Sequence, residues 1–419
     1  MLDIALGVWY SGKGYWIPFI AFALFHLQLV TSVWEVPVLW YYRLPVHFAL
    51  FRTLEQVTKT LKSRACRALI ALQECNIMLK RSIFLITLLC VCLAVLCSVS
   101  AYAVSYSVTD IGTGLRPVDV NDCGVVVGFS VGNLQHGFVW QNGNLTRLQE
   151  LGGIASAARG INNNNQVIGY VEMADSTNHG VLWQQGAARD LGFIGVPLVI
   201  NDKGQMAGWS ATSQGTGSGV ITNIGSLGGA TVTVTCINNS GVLAGYGDTA
   251  NGYTDKLGVW RAYRHAFVGK KGKITDLGTL GGDESFGLAM NDLNQVVGYA
   301  ERADETRHAF IWQNGSMTDL GIQDIGTSSA TAINDYGQIV GSMIGSGVSK
   351  AVVWQNGVPV DLNTLIPANS AWNLTQATSV NDWGWIVGSG LYKGKLHGFL
   401  LTPAWAQAAG GVTASSVKE

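Results

Sequence analysis

Disulfides can have little part in holding this chain together. Five of its seven cysteines lie before residue 98, and only Cys123 and Cys236 remain in the rest. Two thiols make no framework of the kind that staples small secreted domains, so the fold has to be held by burial, and no disulfide is expected. Positive charge is short as well. Residues 104–419 carry 17 Lys and Arg against 23 Asp and Glu, a net charge of −6, while residues 1–103 carry 9 basic and 4 acidic groups and bring the whole chain to −1. A nucleic-acid binder shows the opposite balance or a basic stripe, so that class is set aside. Helical periodicity is missing from the same region. The short catalytic signatures are missing too: there is no Gly-x-Ser-x-Gly elbow, His-Glu-x-x-His, phosphate loop or sialidase-type Asp box. No enzyme activity and no cofactor are expected.

What the region has instead is recurrence. The stretch HAFIWQNGSMTDLG at residues 308–321 returns as HGFVWQNGNLTRL at 136–148, HGVLWQQGAARDLG at 179–192 and KAVVWQNGVPVDL at 350–362. A second signature, Asn-Asp/Asn-x-Gly/Asn before an apolar run and a Gly, begins at Asn121, Asn162, Asn201, Asn238, Asn291, Asn334 and Asn381. Those seven copies are spaced by 41, 39, 37, 53, 43 and 47 residues. A period of this size decides architecture before any single residue decides function. Each unit reads as four short strands, for example residues 330–333, 338–342, 350–354 and 358–362. Asn, Asp and Gly accept the left-handed angles of tight hairpins, and the flanking runs alternate with period two.

Seven four-stranded sheets in series make a seven-bladed β-propeller, because radial repetition buries both faces of every sheet. The chain ends fit the same scheme. The last unit stops at its third strand, HGFLLTP at 397–403, and an orphan fourth strand, SYSVTDIG, stands at 105–112. Pairing the amino-terminal strand with the carboxy-terminal unit closes the ring and removes a free edge. The propeller is therefore expected at 104–403, with a flexible tail at 404–419.

The HAF…W…G…DLG and IND.G.VVG pattern resembles the HAF-type repeat of extracellular bacterial proteins, over nearly all of residues 105–403. Two units depart from it. The third has SGVITNIGSLGG at 218–229 without His or Trp, and the fourth has HAFVGKKG with Gly269 where Trp is usual. The resemblance implies an exported repeat protein with no established activity.

Residues 78–103, MLKRSIFLITLLCVCLAVLCSVSAYA, have two cations, a long apolar run and a small-x-small ending, and read as a signal peptide cleaved before Val104. Residues 1–77 then stand upstream of it, as leader or as sequence ahead of a start at Met78. The rival is a membrane hairpin: residues 16–34 and 82–100 are each 19 residues without a charge, and eight Lys or Arg lie between them. Both readings place the propeller outside the cytoplasm, extracellular or periplasmic, free or anchored through 82–100. A lipoprotein is disfavoured by Leu96 before Cys97, where a small residue is expected.

His136, His179, His265, His308 and His397 are every histidine after Val104, and each opens a third strand. Equivalent positions in different blades cannot converge on one metal ion, so these histidines are expected to pack and hydrogen-bond between blades. The Asn-Asp turns offer two oxygens and then an apolar strand, which is turn chemistry and not a calcium loop. No metal is expected. Paired carboxylates for glycoside cleavage could still come from different blades near the channel.

In such blades the Asn-Asp and Gln-Asn-Gly turns share one face of the disc, and the segments of variable length share the other. The longest, at 247–264, reads as a loop offering Tyr253, Trp260, Arg261, Tyr263 and Arg264, with Trp372 of the 366–378 loop on the same face. Aromatic rings beside guanidinium groups suit sugar faces and protein hot spots. The expected function is a monomeric binding scaffold for a surface glycan or an extracytoplasmic protein. The alternatives are a polysaccharide hydrolase with carboxylates at the channel and a structural component of the cell surface.

Overall fold

Apolar runs of period two, cut at short intervals by Asn, Asp and Gly, leave the backbone one regular option, the strand. The computed structural model describes residues 105–210, 224–321, 326–345 and 347–405, and strands account for nearly all of their regular structure. The leader, signal and membrane segments expected at 1–103 lie outside the described residues, as do 406–419 of the expected tail.

Strand β1 (Tyr106–Thr113) comes first, and β2 (Leu115–Val120), β3 (Val126–Ser130), β4 (Gly137–Gln141) and β5 (Asn144–Arg147) form the first complete sheet. The next sheet has five strands, β6 (Ala155–Ile161), β7 (Val167–Glu172), β8 (Asn178–Gln184), β9 (Ala187–Ile200) and β10 (Met206–Ser210). Three four-stranded sheets follow. They are β11 (Gly228–Ile237), β12 (Leu243–Thr254), β13 (Trp260–Lys270) and β14 (Lys273–Asp276); β15 (Gly281–Met290), β16 (Val296–Arg302), β17 (Arg307–Gln313) and β18 (Ser316–Asp319); and β19 (Thr327–Ile333), β20 (Ile339–Gly345), β21 (Val348–Gln355) and β22 (Val358–Asp361). A 3-10 turn at Leu362–Thr364 leads to β23 (Trp372–Val380), β24 (Ile386–Tyr392) and β25 (Lys395–Pro403). All pairing between named strands is antiparallel.

The fold is an all-β propeller, and its described sheets number six where seven blades were expected. The physical reason is β9. It runs through without a turn, so that Ala187 to Ile194 pairs with β8 while Gly195 to Ile200 pairs with β10. Two successive repeats are thereby fused into one five-stranded sheet. The rest of the third repeat falls on 211–223, outside the described residues, and with it the start of the departure at 218–229.

Closure follows the orphan-strand argument. β1 pairs with β25 from Tyr106↔Pro403 to Thr113↔His397, giving the sheet order β1-β25-β24-β23. The core lies between neighbouring sheets. Val340 and Val353 of one meet Leu374, Ile386 and Phe399 of the next, together with Tyr106 from the amino-terminal strand. Innermost strands carry a bulge, and the bulged Thr235, Thr331 and Thr378 donate to carbonyls of the following sheet, Gly287, Ala377 and Pro117 respectively. The same geometry explains the Gly after each apolar run: a Cβ on Gly341 would collide with the Ser329 carbonyl. Cys123 is exposed, Cys236 is buried, and both are free; burial pushes the Cys236 thiol up to about 12.

Candidate functional site

The seven Asn-Asp/Asn turns meet at the axis and bind one another. Within each, the Asn side-chain oxygen accepts the amides two and four residues on, as Asn334 does from Tyr336 and Gln338. Its Nδ2 then donates to the carbonyl of the equivalent Asn in the next repeat. The links run from Asn121 to Asn162, Asn201, Asn238, Asn291, Asn334, Asn381 and back to Asn121, at 2.8 to 3.4 Å. A second ring lies beside the first. The backbone amide at each following position donates to the side chain of its counterpart, through Asp122, Asn163, Asp202, Asn239, Asp292, Asp335 and Asp382, at 2.7 to 3.0 Å. Left-handed geometry at the fourth turn position is met by Gly in five repeats and by Asn165 and Asn294 in two.

These side chains line a mouth of about 230 Å³ on the axis. Five of the seven are carboxylates. Asn163 donates to Asp122 and Asp202, and Asn239 to Asp202 and Asp292, so two amides bridge three of the acids. Asp335 and Asp382 have only acids as ring neighbours. Burial first, and the surrounding carboxylates after it, push both carboxyls above their ordinary value. Among the described residues no three His, Cys, Asp or Glu side chains gather to hold a metal ion, and no helix is long and apolar enough to cross a membrane.

The main partner of most histidines is a carboxylate of their own sheet, where contacts between blades were expected; His265 makes both kinds, since it also reaches the Asp283 backbone of the next sheet. His179, His265 and His308 reach Asp190, Asp276 and Asp319 through Nδ1 at 2.8 to 3.0 Å. Each of those carboxylates also accepts the Gly amide two residues on, which is why His and Asp-Leu-Gly recur together. His397 finds the same partner in Asp110 of β1, so closure restores the motif across the two chain ends. His136 instead reaches Glu150, which Arg147 also holds. The link to Asp276 raises His265 above its ordinary value. Contacts between sheets are made by a serine on the next innermost strand: Ser156, Ser285 and Ser328 accept the amides of Gly137, Ala266 and Ala309.

The segment at 247–264 is a hairpin and not a loop. β12 and β13 stay paired from Gly252↔Ala262 to Thr254↔Trp260 around a turn at Asp255, whose side chain accepts the amides of Leu257 and Val259 and holds Arg261 at 3.0 Å. Strand alternation divides the expected ligand residues. Tyr253, Arg261 and Tyr263 share one face, with the two tyrosine rings 5.7 Å apart. Trp260 and Arg264 lie on the reverse, where Arg264 meets Asp248. The tip does not fold back: Tyr253, Leu257 and Trp260 are 49%, 86% and 59% exposed. Trp372 is not a loop residue. It opens β23 and packs on Tyr392, His397 and Phe399 in the closing sheet.

No family model matches the chain, and no curated protein matches it. Solved structures similar to it include the β-propeller domain of the Trilobed protease from Pyrococcus furiosus, 8% identical, covering 72% of this chain and 94% of that one with a TM-score of 0.43. A protein named as a gluconolactonase is 11% identical over 71% of this chain and 92% of its own, with a TM-score of 0.36. An acylaminoacyl peptidase from Pyrococcus horikoshii is 10% identical over 70% of this chain and 46% of its own, with a TM-score of 0.33. At these levels a functional reading has to come from the chain's own residues.

Proposed function

We propose that this protein is an exported, non-catalytic binding scaffold of the HAF-repeat type, taking a surface glycan or an extracytoplasmic protein on the hairpin of β12 and β13. The carrying observation is the tip, where Tyr253 and Trp260 stand exposed on paired strands and Leu257 and Val259 on the turn between them. Large apolar side chains in contact with water on an ordered support mark interaction surfaces. Arg261 and Arg264, each fixed by a carboxylate, add directed donors beside them. The blade count proposed with this reading is seven, with β10 and the second half of β9 as the inner half of one blade; the closed cycle of seven turns supports it.

The test is a glycan array and a panel of extracytoplasmic proteins probed with the full chain and with Trp260→Ala and Tyr263→Ala, which sit on opposite hairpin faces. Binding should weaken roughly 5- to 100-fold in at least one variant, with an unchanged melting temperature. A large loss of stability with intact binding would make the hairpin a structural brace.

A second reading, polysaccharide hydrolysis at the axial mouth, is favoured by Asp335 and Asp382, neighbouring carboxyls held above their ordinary value. Release of reducing ends by the full chain, abolished in Asp335→Asn and Asp382→Asn, would establish it.

A further inference from the structure

We infer that the first two sheets hold an anion site centred on Arg159 that takes the carboxylate of an acidic sugar. This goes beyond the hairpin reading and stands whether or not the hairpin binds anything. Arg147, Arg261, Arg264, Arg302 and Arg307 each hold a carboxylate. Arg159, on β6, has none among the described residues, and its Nε is buried without a hydrogen-bond partner. Taking a guanidinium nitrogen from water with no acceptor to meet it is costly, so the buried, unpartnered Nε sets Arg159 apart from those five.

Two aromatic rings hold the group in place. The guanidinium carbon lies 5.3 Å from the centre of the Phe129 ring and 5.5 Å from that of Tyr170. Each attracts the cation through its π face and supplies no acceptor in the guanidinium plane, where a carboxylate binds with two parallel hydrogen bonds. Arg116 is a second cation with no carboxylate partner among the described residues. It stands directly across the ladder from Phe129, on the same face of the sheet. The remaining wall is polar: the Tyr170 hydroxyl donates to Gln135 Oε1 at 3.2 Å, which leaves the Gln135 amide nitrogen to donate. Phe129 and Tyr170 each follow the Gly of a second strand, at the end away from the Asn-Asp turns, so the carboxylates of the axial mouth do not compete.

Two guanidinium groups, an amide donor, a phenol and an aromatic wall suit a ring that carries one carboxylate and several hydroxyls. The site differs from the hairpin in what it selects. It requires negative charge, and a neutral sugar leaves the guanidinium unmet.

Calorimetric titration of the full chain with trigalacturonate, a neutral trisaccharide and hexaglutamate tests this. Trigalacturonate should bind, more weakly as salt rises, and the neutral trisaccharide should not. Arg159→Gln should weaken binding at least tenfold, Arg159→Lys less, because lysine keeps the charge and loses the fork, and Arg116→Gln a fewfold. If Arg159→Gln fails to fold, Arg116→Gln decides. The proposal is overturned by absent trigalacturonate binding, by unchanged affinity in Arg159→Gln or in its stand-in, or by hexaglutamate binding more tightly than the uronide, which would make the ligand an acidic peptide.

Discussion

The turns at Asn334 and Asp255 have the same geometry and different residues. In both, the side-chain oxygen accepts amides two and four residues on, and the fourth residue is Gly with its amide on the first carbonyl. One sits on the axis and the other at the hairpin tip. Either Asn or Asp can shape such a turn, since only an acceptor is needed. On the axis the side chain must also donate, and Asn334 does so to the Asn381 carbonyl. The tip has no counterpart beside it, and Asp255 turns its second oxygen to Arg261. The seven axial asparagines are thus fixed by contact between repeats, while the tip answers only to its own hairpin and to whatever binds it.

The largest effect should come from breaking the axial half of this comparison at its seam. Deleting residues 105–112 removes most of β1, bares the edge of β25 and takes Asp110 from His397. The unfolding midpoint should drop by several degrees or the protein should aggregate, read by calorimetry and light scattering. An unchanged, monomeric protein would show that the ring does not depend on this strand. Next in size is the pair Asn334→Asp and Asp255→Asn. The first replaces a buried donor by a charged acceptor facing a carbonyl, at a cost of about 2–4 kcal/mol. That corresponds to a midpoint lower by roughly 5–10 °C. The second keeps the turn and loses an exposed ion pair, so its midpoint should move by no more than about 1 °C. Equal losses in the two would refute the distinction between axis and tip.

How far the fold could be read in advance depended on whether a feature repeats. The recurring Asn-Asp-x-Gly and His…Trp…Gly pattern gave away the strands and the architecture, with boundaries within a few residues: 338–342 against Ile339–Gly345, and 350–354 against Val348–Gln355. Closure was legible because Asp110 stands in a TDIG strand with no unit before it. The sheet count was not, because β9 continues where other repeats turn, and Gly195, which stands at the junction, reads in the sequence as a turn residue while its backbone stays paired with β10. The partner of the histidines was missed although the signal was present: Asp lies eleven residues after His179, His265 and His308. The length of 247–264 suggests a loop, yet DKLG at 255–258 imitates the axial turn and marks the hairpin. Arg159 could not be found in the sequence, since its surroundings come from two sheets and nothing in RGINNN marks it.

The smallest effect concerns one half of the axial ring against the other. Asn163 and Asn239 separate acids on one side, whereas Asp292, Asp335, Asp382 and Asp122 follow one another without an amide between them. Asp335→Asn keeps the Oδ1 that accepts the Asp292 amide and copies what two repeats already do. Burial and the acids nearby hold the Asp335 carboxyl above its ordinary 3.8, so the folded protein binds that proton more tightly than the unfolded chain. Stability contributed by this site is therefore greatest in acid and declines as pH rises from about 3.8 through the raised value. The substitution removes that decline. At pH 7 the variant should melt about 1–3 °C above the parent, and the gain should shrink as pH falls and vanish below about 3.8. Calorimetric melting of both proteins from pH 3 to 8 reads it directly. A midpoint that falls at pH 7 would mean that the ring needs the Asp335 charge, as a cation held at the axial mouth would require.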